Sequence, residues 1–366
     1  MFSHEQVSVR RGPRSGLPII IAIHSSALGP AVGGCRLWHY PDWRDGLTDA
    51  LRLSEAMTLK TATANVPHGG GKTVVALPPG VVLDGPARRD VLRDVGELVE
   101  SFGGRYATGP DVGTSAEDMN IISEATRQVF CRPESVGGSG DPAPYTAAGV
   151  RAAIGAVFRL LEGRNGANEV RGRTVTVIGL GHVGTQLARM LARDGAMLTV
   201  TDVDERRRSL AEELGAEWCA PGQALTAETD LLVPAALGGQ LTVELVPELR
   251  CRAIVGPANN QLAEDAVAEL LHRRGIPWVP DYLASAGGVI FALARELRGA
   301  TPDEALRQVG GIGAVTEELL HNAARLGISP HLAALRRVGE RLAAAPDAES
   351  APTIAVREAI KAPMMN

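Results

Sequence analysis

Two stretches near the start of the chain are apolar enough to be strands, LPIIIAIH at 17–24 and TVVAL at 73–77. Between them Leu47, Ala50, Leu51, Leu53, Ala56 and Met57 recur at the spacing of one helix face, which predicts a helix over 46–63. The same spacing returns behind Pro86 over 86–101, and a further amphipathic helix is predicted over 115–130. CRPESVGGSGDPAPYT, residues 131–146, interrupts the pattern with prolines and glycines, as a linker or hinge does. After it, Val150, Ile154, Val157, Leu160 and Leu161 mark a helix. Strands and helices then alternate: TVTVIGLG, a helix over 183–194, LTVTD, a helix around 205–215, TDLLVPA, RAIVG, a helix over 262–273, and IPWVPDYL. Such alternation predicts a parallel, doubly wound sheet. Thr301-Pro302-Asp303-Glu304 combines a cap, a first-turn proline and a capping-box acid, and starts a helix that runs to about residue 325. Gly327 and Pro330 end it, one more helix follows, and residues 351–366 read as a flexible tail.

Composition narrows the function. The chain has 366 residues, of which 45% are hydrophobic and 22% charged, enough for two domains with buried cores. Its formal charge is −5 and it carries no long basic tract, which argues against nucleic acid as a partner. Cys35, Cys131, Cys219 and Cys251 are scattered and form no metal-ligand spacing, so no metal is expected and the compartment reads as reducing. MFSHEQVSVRRG lacks the plan of a signal peptide, and IIIAI is too short to span a bilayer; a cytoplasmic protein without a membrane partner is expected.

Of 37 basic residues only Lys60, Lys72 and Lys361 are lysine. A general bias toward arginine accounts for the surface but not for two lysines twelve residues apart. Arginine keeps its proton, whereas a lysine amine can be pulled toward neutrality by burial or by a neighbouring cation. PHGGGKTVV superficially resembles a phosphate-binding loop, but Val66 stands where its first glycine belongs, and a strand follows instead of a helix. The glycines read as a turn between helix and strand, with Lys60 near the helix end and Lys72 at the strand start.

Farther on, TVTVI runs into Gly179-Leu180-Gly181-His182-Val183-Gly184 and directly into a helix. The first glycine permits the tight turn, the second admits a pyrophosphate to the backbone, the third packs helix on strand, and the helix N-terminus faces the phosphates. Asp202 ends the next strand, where a carboxylate would bind the ribose hydroxyls and repel a 2′-phosphate, so the cofactor is read as NAD. Arg206, Arg207 and Arg208 read as solvated and leave some room for NADP.

Together LGPAVGGCR, EAMTLK, PHGGGKTVV, TGPDVGTSAEDM, GLGHVG, PAALGG, GPANNQL and PDYLASAGGVI resemble, in order and over most of the chain, the dehydrogenases of glutamate, leucine, phenylalanine and valine. The resemblance is nearest to the leucine, phenylalanine and valine branch. It implies an α/β protein of two domains separated by a cleft. A substrate-binding and catalytic domain over 1–142 would be completed by C-terminal helices over 326–350, and a Rossmann-type NAD domain would occupy 143–325. It also implies reversible oxidative deamination of an L-amino acid to a 2-oxo acid and ammonia, by a homo-oligomer. Lys60 would grip the substrate carboxylate, Lys72 would activate water at the imine carbon, and Asp111 would carry the proton to and from the amino group. Gly33 and Gly34 would let the main chain approach the carboxylate, Asn260 would orient substrate or nicotinamide, and Thr146, Ala235 and Asn259 would stand near the cofactor with His182 and Val183.

Blander readings accompany these. Asp111 after Gly109-Pro110 also suits a turn, Asn259-Asn260 suits a strand-to-helix turn, His68 reads as an exposed residue beside the glycines, and His182 as a surface residue. The chain departs from the family at Ala235 in PAALGG, at Pro257 and at Ser285. The resemblance places Val32, Gly109, Val289 and Ala292 in the side-chain pocket. Gly109 and Ala292 are smaller than their counterparts in branched-chain enzymes, which points to an aromatic substrate, phenylalanine or tryptophan, ahead of leucine or valine. A non-catalytic NAD sensor and a 2-hydroxy acid dehydrogenase are the competing classes; the first would have lost the lysines, and the second would need a His or Arg in their place.

Overall fold

The computed structural model describes residues 3–162 and 170–345; the tail expected over 351–366 lies outside them. The chain forms two compact units. The first takes the described chain to Asp141, then Ala292–Thr301, then the chain from Leu335; the second takes Pro142–Phe291 and Pro302–Ala334. Two segments therefore differ from the boundaries read in the sequence. Ala292–Thr301 belongs to the first unit, because the buried carboxylate of Glu296 accepts from Cys131 N, Ser139 N, Ser139 Oγ and Arg132 Nε. Residues 326–334 belong to the second, where Ser329 Oγ donates to Glu269 and His331 lies against Trp278.

In the first unit β1 (Gln6–Arg11), β2 (Pro18–Ser25), β3 (Ala31–His39), β4 (Gly69–Leu77) and β5 (Tyr106–Pro110) form a mixed sheet in the order β1-β2-β4-β3-β5. The β3 strand is parallel to both β4 and β5. Helix α1 (Trp43–Thr63), capped by Asp42 with Asp45 closing a capping box, covers one face; α2 (Gly85–Glu100) and α3 (Ala116–Ile122) cover the other. Both faces of β2 are buried: Ile19, Ile21 and Ile23 pack into the α2 and α3 core and Ile20 and Ala22 into the α1 core, hence its unbroken apolar run.

The helix expected over 115–130 stops at Ile122. Residues 128–130 instead extend along β5, with Thr108 N donating to Gln128 O and Phe130 N to Thr108 O. The glycines at 69–71 are strand rather than turn, because no side chain fits there. A Cβ at Gly69 would sit 1.9 Å from Ser25 O, and one at Gly70 would sit 2.1 Å from Thr58 N.

In the second unit α4 (Ala143–Glu162) leads to a parallel sheet of β6 (Thr174–Ile178), β7 (Met197–Thr201), β8 (Glu217–Trp218), β9 (Thr229–Pro234) and β10 (Cys251–Ile254) in the order β10-β9-β6-β7-β8. The first strand of this unit thus lies at the centre and the chain winds outward in both directions, the Rossmann-type order. Helices α5 (His182–Arg193), α6 (Arg208–Leu214), α7 (Pro221–Ala224) and α8 (Ala266–Arg273) accompany these strands. The remaining helices are α9 (Asp281–Ala284), α10 (Gly287–Ala292), α11 (Pro302–Leu326) and α12 (Pro330–Ala343). IPWVPDYL contributes one bridge, Trp278 to Ile254, and no strand. Among the described residues no helix is long and apolar enough to cross a membrane.

Candidate active site

Lys72 is the fourth residue of β4 and only 5% exposed. Its neighbours on β2 and β3 are Ala22 and, one step on, Cys35 opposite Thr73. Lys72 shares its face of β4 with Gly70, Val74 and Ala76, the face covered by α1. At the end of β5 the chain turns at Asp111, whose N–H donates to Thr114 Oγ1 at 3.0 Å while Thr114 N donates back to Asp111 O. That turn carries the carboxylate to Lys72 Nζ, which donates to Oδ2 at 2.6 Å. Asp111 is both the turn residue and half of an ion pair whose lysine is buried.

Gly34, on β3, makes room for this pair. A Cβ there would lie 2.7 Å from Asp111 Cβ and 3.1 Å from Lys72 Nζ. Gly33 serves the backbone instead, since a Cβ would meet Gly71 O at 1.8 Å. Close packing of strands and of the ion pair accounts for both glycines within this unit.

Arg36 completes the cluster and was not singled out in the sequence. Its Nε donates to Asp111 Oδ2 at 2.9 Å and its terminal nitrogen to Asp49 Oδ2 at 2.7 Å on α1, where Tyr40 and Arg52 also donate to Asp49. Burial pulls the Lys72 amine below its ordinary value, opposed by the Asp111 carboxylate and reinforced by the Arg36 charge. Burial works against Asp111 ionisation, but Lys72 and Arg36 together outweigh it and hold its carboxyl below the usual range. The directions are compatible because Asp111 has two cations: Arg36 keeps the carboxylate ionised when Lys72 gives up its proton. A neutral amine beside a permanent ion pair is what a general base needs.

Lys60 sits in the last turn of α1, half-buried. Thr58, two residues before Lys60, packs on Gly70, two residues before Lys72. His68, expected exposed, is buried, with its ring Nδ1 bonded to Pro30 O at 3.0 Å, and burial lowers its pKa. Val32 and Ala292 are buried in the first unit, whereas Val289 is half-buried in the second. The room left by Gly109 is already filled: a Cβ there would fall 2.2 Å from the ring of Phe130, so the missing methyl does not by itself enlarge a pocket.

In the second unit β6 passes through Gly179, at φ +103°, into α5. A Cβ at Gly184 would strike Gly179 O at 2.0 Å, whereas one at Gly181 would meet nothing within 4 Å. Gly184 therefore packs helix on strand, and Gly181 lines an open cradle of the kind a pyrophosphate fills. The α5 N-terminus carries no side-chain cap, which leaves its first N–H groups, those of exposed His182 and half-buried Val183 among them, for a ligand. Asp202 lies beside this turn, accepting from Leu180 N at 2.6 Å and from Asp204 N at 2.9 Å, with lone pairs left for ribose hydroxyls. Ala235 N donates to Ile178 O, which brings the PAALGG segment against Gly179. These residues fit a dinucleotide. Asn260 is exposed in a left-handed conformation, φ +54°, and its carbonyl accepts from Gly239 N; Asn259 beside it is exposed too. Thr146 lies in the first turn of α4, where its Oγ1 would stand 2.6 Å from a Cβ on Gly288.

The chain is similar to known proteins over most of its length. Residues 3–128 match the family model for the Glu/Leu/Phe/Val dehydrogenase dimerisation domain, and residues 197–297 match that for glutamate/leucine/phenylalanine/valine dehydrogenase. The chain is 38% identical to leucine dehydrogenase of Thermoactinomyces intermedius over 93% of its own length and 91% of that protein's. It is 38% identical to phenylalanine dehydrogenase of Caldalkalibacillus thermarum over the same shares. The crystal structure of L-tryptophan dehydrogenase from Nostoc punctiforme superposes with a TM-score of 0.80 at 35% identity, covering 93% of this chain and 95% of that one. The chain is an amino acid dehydrogenase, built for a nicotinamide cofactor, and belongs to the glutamate/leucine/phenylalanine/valine dehydrogenase family.

Proposed function

We propose that this enzyme catalyses the reversible, NAD-dependent oxidative deamination of an aromatic L-amino acid, phenylalanine or tryptophan, to its 2-oxo acid and ammonia. The buried contact of Lys72 with Asp111 at 2.6 Å, beside Arg36, carries the reading. Lys60 binds the substrate carboxylate as a point charge, and Asp111 takes a proton from the substrate ammonium so that its nitrogen lone pair is free. A nicotinamide held at the glycine turn of β6 would supply the acceptor for the hydride of the α-carbon. Lys72, neutral, removes a proton from the water that adds to the resulting imine carbon. Asp111 then returns its proton to the nitrogen, the C–N bond breaks to release ammonia, and the carbinol hydroxyl passes its proton to the freed Asp111 carboxylate as the C=O bond forms.

Several observations support the finer choices. NAD is favoured over NADP because Asp202 stands at the ribose position, while Arg206 forks onto Asp204 and Arg208 pairs with Glu205. Likeness to a tryptophan and a phenylalanine dehydrogenase and the small Ala292 favour an aromatic side chain. Phe130 in the space beside Gly109 favours the second reading, a leucine or valine substrate. Because the first 128 residues match a domain named for dimerisation, a homo-oligomer is part of the proposal, as is work in a reducing cytoplasm, in keeping with free thiols at Cys35, Cys131, Cys219 and Cys251.

NADH oxidation with ammonium and a panel of phenylpyruvate, indolepyruvate and 4-methyl-2-oxopentanoate tests this. Ammonium-dependent turnover fastest on an aromatic acid, and absent in Lys72→Ala, is expected. Faster turnover of 4-methyl-2-oxopentanoate would transfer the assignment to the branched-chain reading, and full activity in Lys72→Ala would remove the mechanism.

A further inference from the structure

We propose that Arg36 is a positioning residue: its guanidinium, braced on α1 by Asp49, holds one oxygen of the Asp111 carboxylate and leaves the other to the reacting nitrogen. The inference rests on the reading of Lys72 and Asp111 as the reacting pair, and deepens it.

Both donors converge on Oδ2, Lys72 Nζ at 2.6 Å and Arg36 Nε at 2.9 Å. Were Arg36 absent, Lys72 would face an unshared carboxylate, free to turn both oxygens onto Nζ. Such a pair stabilises the ammonium and disables the base. With Arg36 in place the carboxylate keeps a permanent cationic partner and a fixed orientation, so proton loss from Lys72 strands no charge.

Arg36 is itself held from behind. Its terminal nitrogen donates to Asp49 Oδ2, an oxygen shared with the Tyr40 hydroxyl at 2.8 Å, while Arg52 holds Oδ1 at 2.8 Å. The groups acting on Lys72 are thus Asp111 from the end of β5, and Arg36 and Cys35 from β3. From α1, Asp49 bears on it through Arg36, and Lys60 stands at the helix end. Burial pushes the Cys35 thiol up to about 12, so it is neutral and adds no charge at working pH.

Arg36 lines a concavity of about 580 Å³ together with Trp38, Tyr40, Asp49, Arg52 and Val112. Removing the Arg36 side chain would leave, between this hollow and Asp111, the space its guanidinium fills, which is the size of a guanidinium ion.

The experiment is the pH profile of kcat/KM for amino acid oxidation in wild type, Arg36→Ala and Arg36→Lys. In Arg36→Ala the acid limb should move to higher pH by about one unit, the usual effect of removing a nearby like charge. Added guanidinium chloride should move it back, which sodium chloride at equal ionic strength should not do. Arg36→Lys keeps the charge but cannot fork between two acids, and should lie between the two profiles. A folded Arg36→Ala enzyme with the wild-type limb, or a uniform rate loss indifferent to guanidinium, overturns the proposal. Should Arg36→Ala fail to fold, Asp49→Asn, which loosens the brace, should shift the limb the same way by less; an unchanged profile there overturns it equally. Absence of ammonium-dependent turnover in the wild type would count against the underlying reading instead.

Discussion

Replacing Gly34 by alanine puts one methyl group where the structure has no room for it. The added Cβ would stand 2.7 Å from Asp111 Cβ, 3.0 Å from Pro110 O and 3.1 Å from Lys72 Nζ. Carbon atoms rest at about 3.5–4.0 Å, so Asp111 has to retreat by about 1 Å. The 2.6 Å contact to Lys72 then lengthens past hydrogen-bonding reach. A misplacement of ~1 Å at a reacting group costs about a hundredfold in rate, or about 2.7 kcal/mol of barrier. The overpacking itself should cost about 1–3 kcal/mol of stability, which a protein of this size can bear. The assay is steady-state NADH oxidation with saturating ammonium and 2-oxo acid, beside a thermal melt and an NADH titration. The expected result is a kcat lowered by about two orders of magnitude with NADH affinity unchanged, because the second unit is untouched. A Gly34→Ala enzyme with wild-type kcat would refute the reasoning, since Asp111 would then be free to move without consequence.

Other changes separate the two units. Gly181→Ala adds a Cβ that meets no protein atom, so the melt should be unchanged while the Kd for NADH, read by fluorescence titration, rises by about tenfold or more. Gly109→Ala drives a methyl into the Phe130 ring and should lower stability by about 1–3 kcal/mol in urea melts, with Phe130→Leu restoring it in the double variant. Burial, with a smaller contribution from His4, lowers the pKa of His24 to about 4, and its ring Nε2 has no partner. Because the folded value is depressed below 6.5, its contribution is intact above pH 6.5 and is lost as pH falls toward 4; urea melts should show about 3 kcal/mol leaving over that window, and less in His24→Gln. On the proposed mechanism, in which Lys72 acts when neutral, deamination should rise with pH through a limb below the ordinary lysine value of 10.5.

The sequence disclosed the parts of this molecule whose physics is local. The β6 strand, its glycine turn and α5 are readable because each glycine answers to a neighbour within a few residues, and the Pro86 helix start is likewise short-range, whereas the Asp42 cap that starts α1 three residues before the predicted 46 is seen only in the structure. The strand β3 escaped notice because Gly33 and Gly34, which suit a turn when read alone, are required by Gly71 and Asp111, far along the chain. His68 was misjudged for the same reason: its partner is the carbonyl of Pro30. Arg36 was hidden among 34 arginines in a chain where arginine is the default cation, and only its contacts with Asp111 and Asp49 set it apart. Lys72 stands out in the sequence because lysine is scarce and Asp111 because its segment resembles the family's, but their contact is visible only in the structure. The enlarged pocket read from Gly109 fails because Phe130, which takes up that space, lies twenty-one residues further along the chain, outside the family-like segments.

The bareness of the strands around Lys72 has a consequence for how this enzyme can change over generations. Gly33, Gly34, Gly69, Gly70 and Gly71 each stand where a first carbon would meet backbone, a ring or the ion pair at 2.7 Å or less. Five positions nearest the chemistry are thereby closed to ordinary point mutation, and natural variation there should be all but absent. On the proposed reading, new substrate preferences would enter through residues outside these strands, such as Phe130 and Ala292. The chemistry is insulated from the specificity, so a lineage can trade one amino acid for another and keep the same lysine.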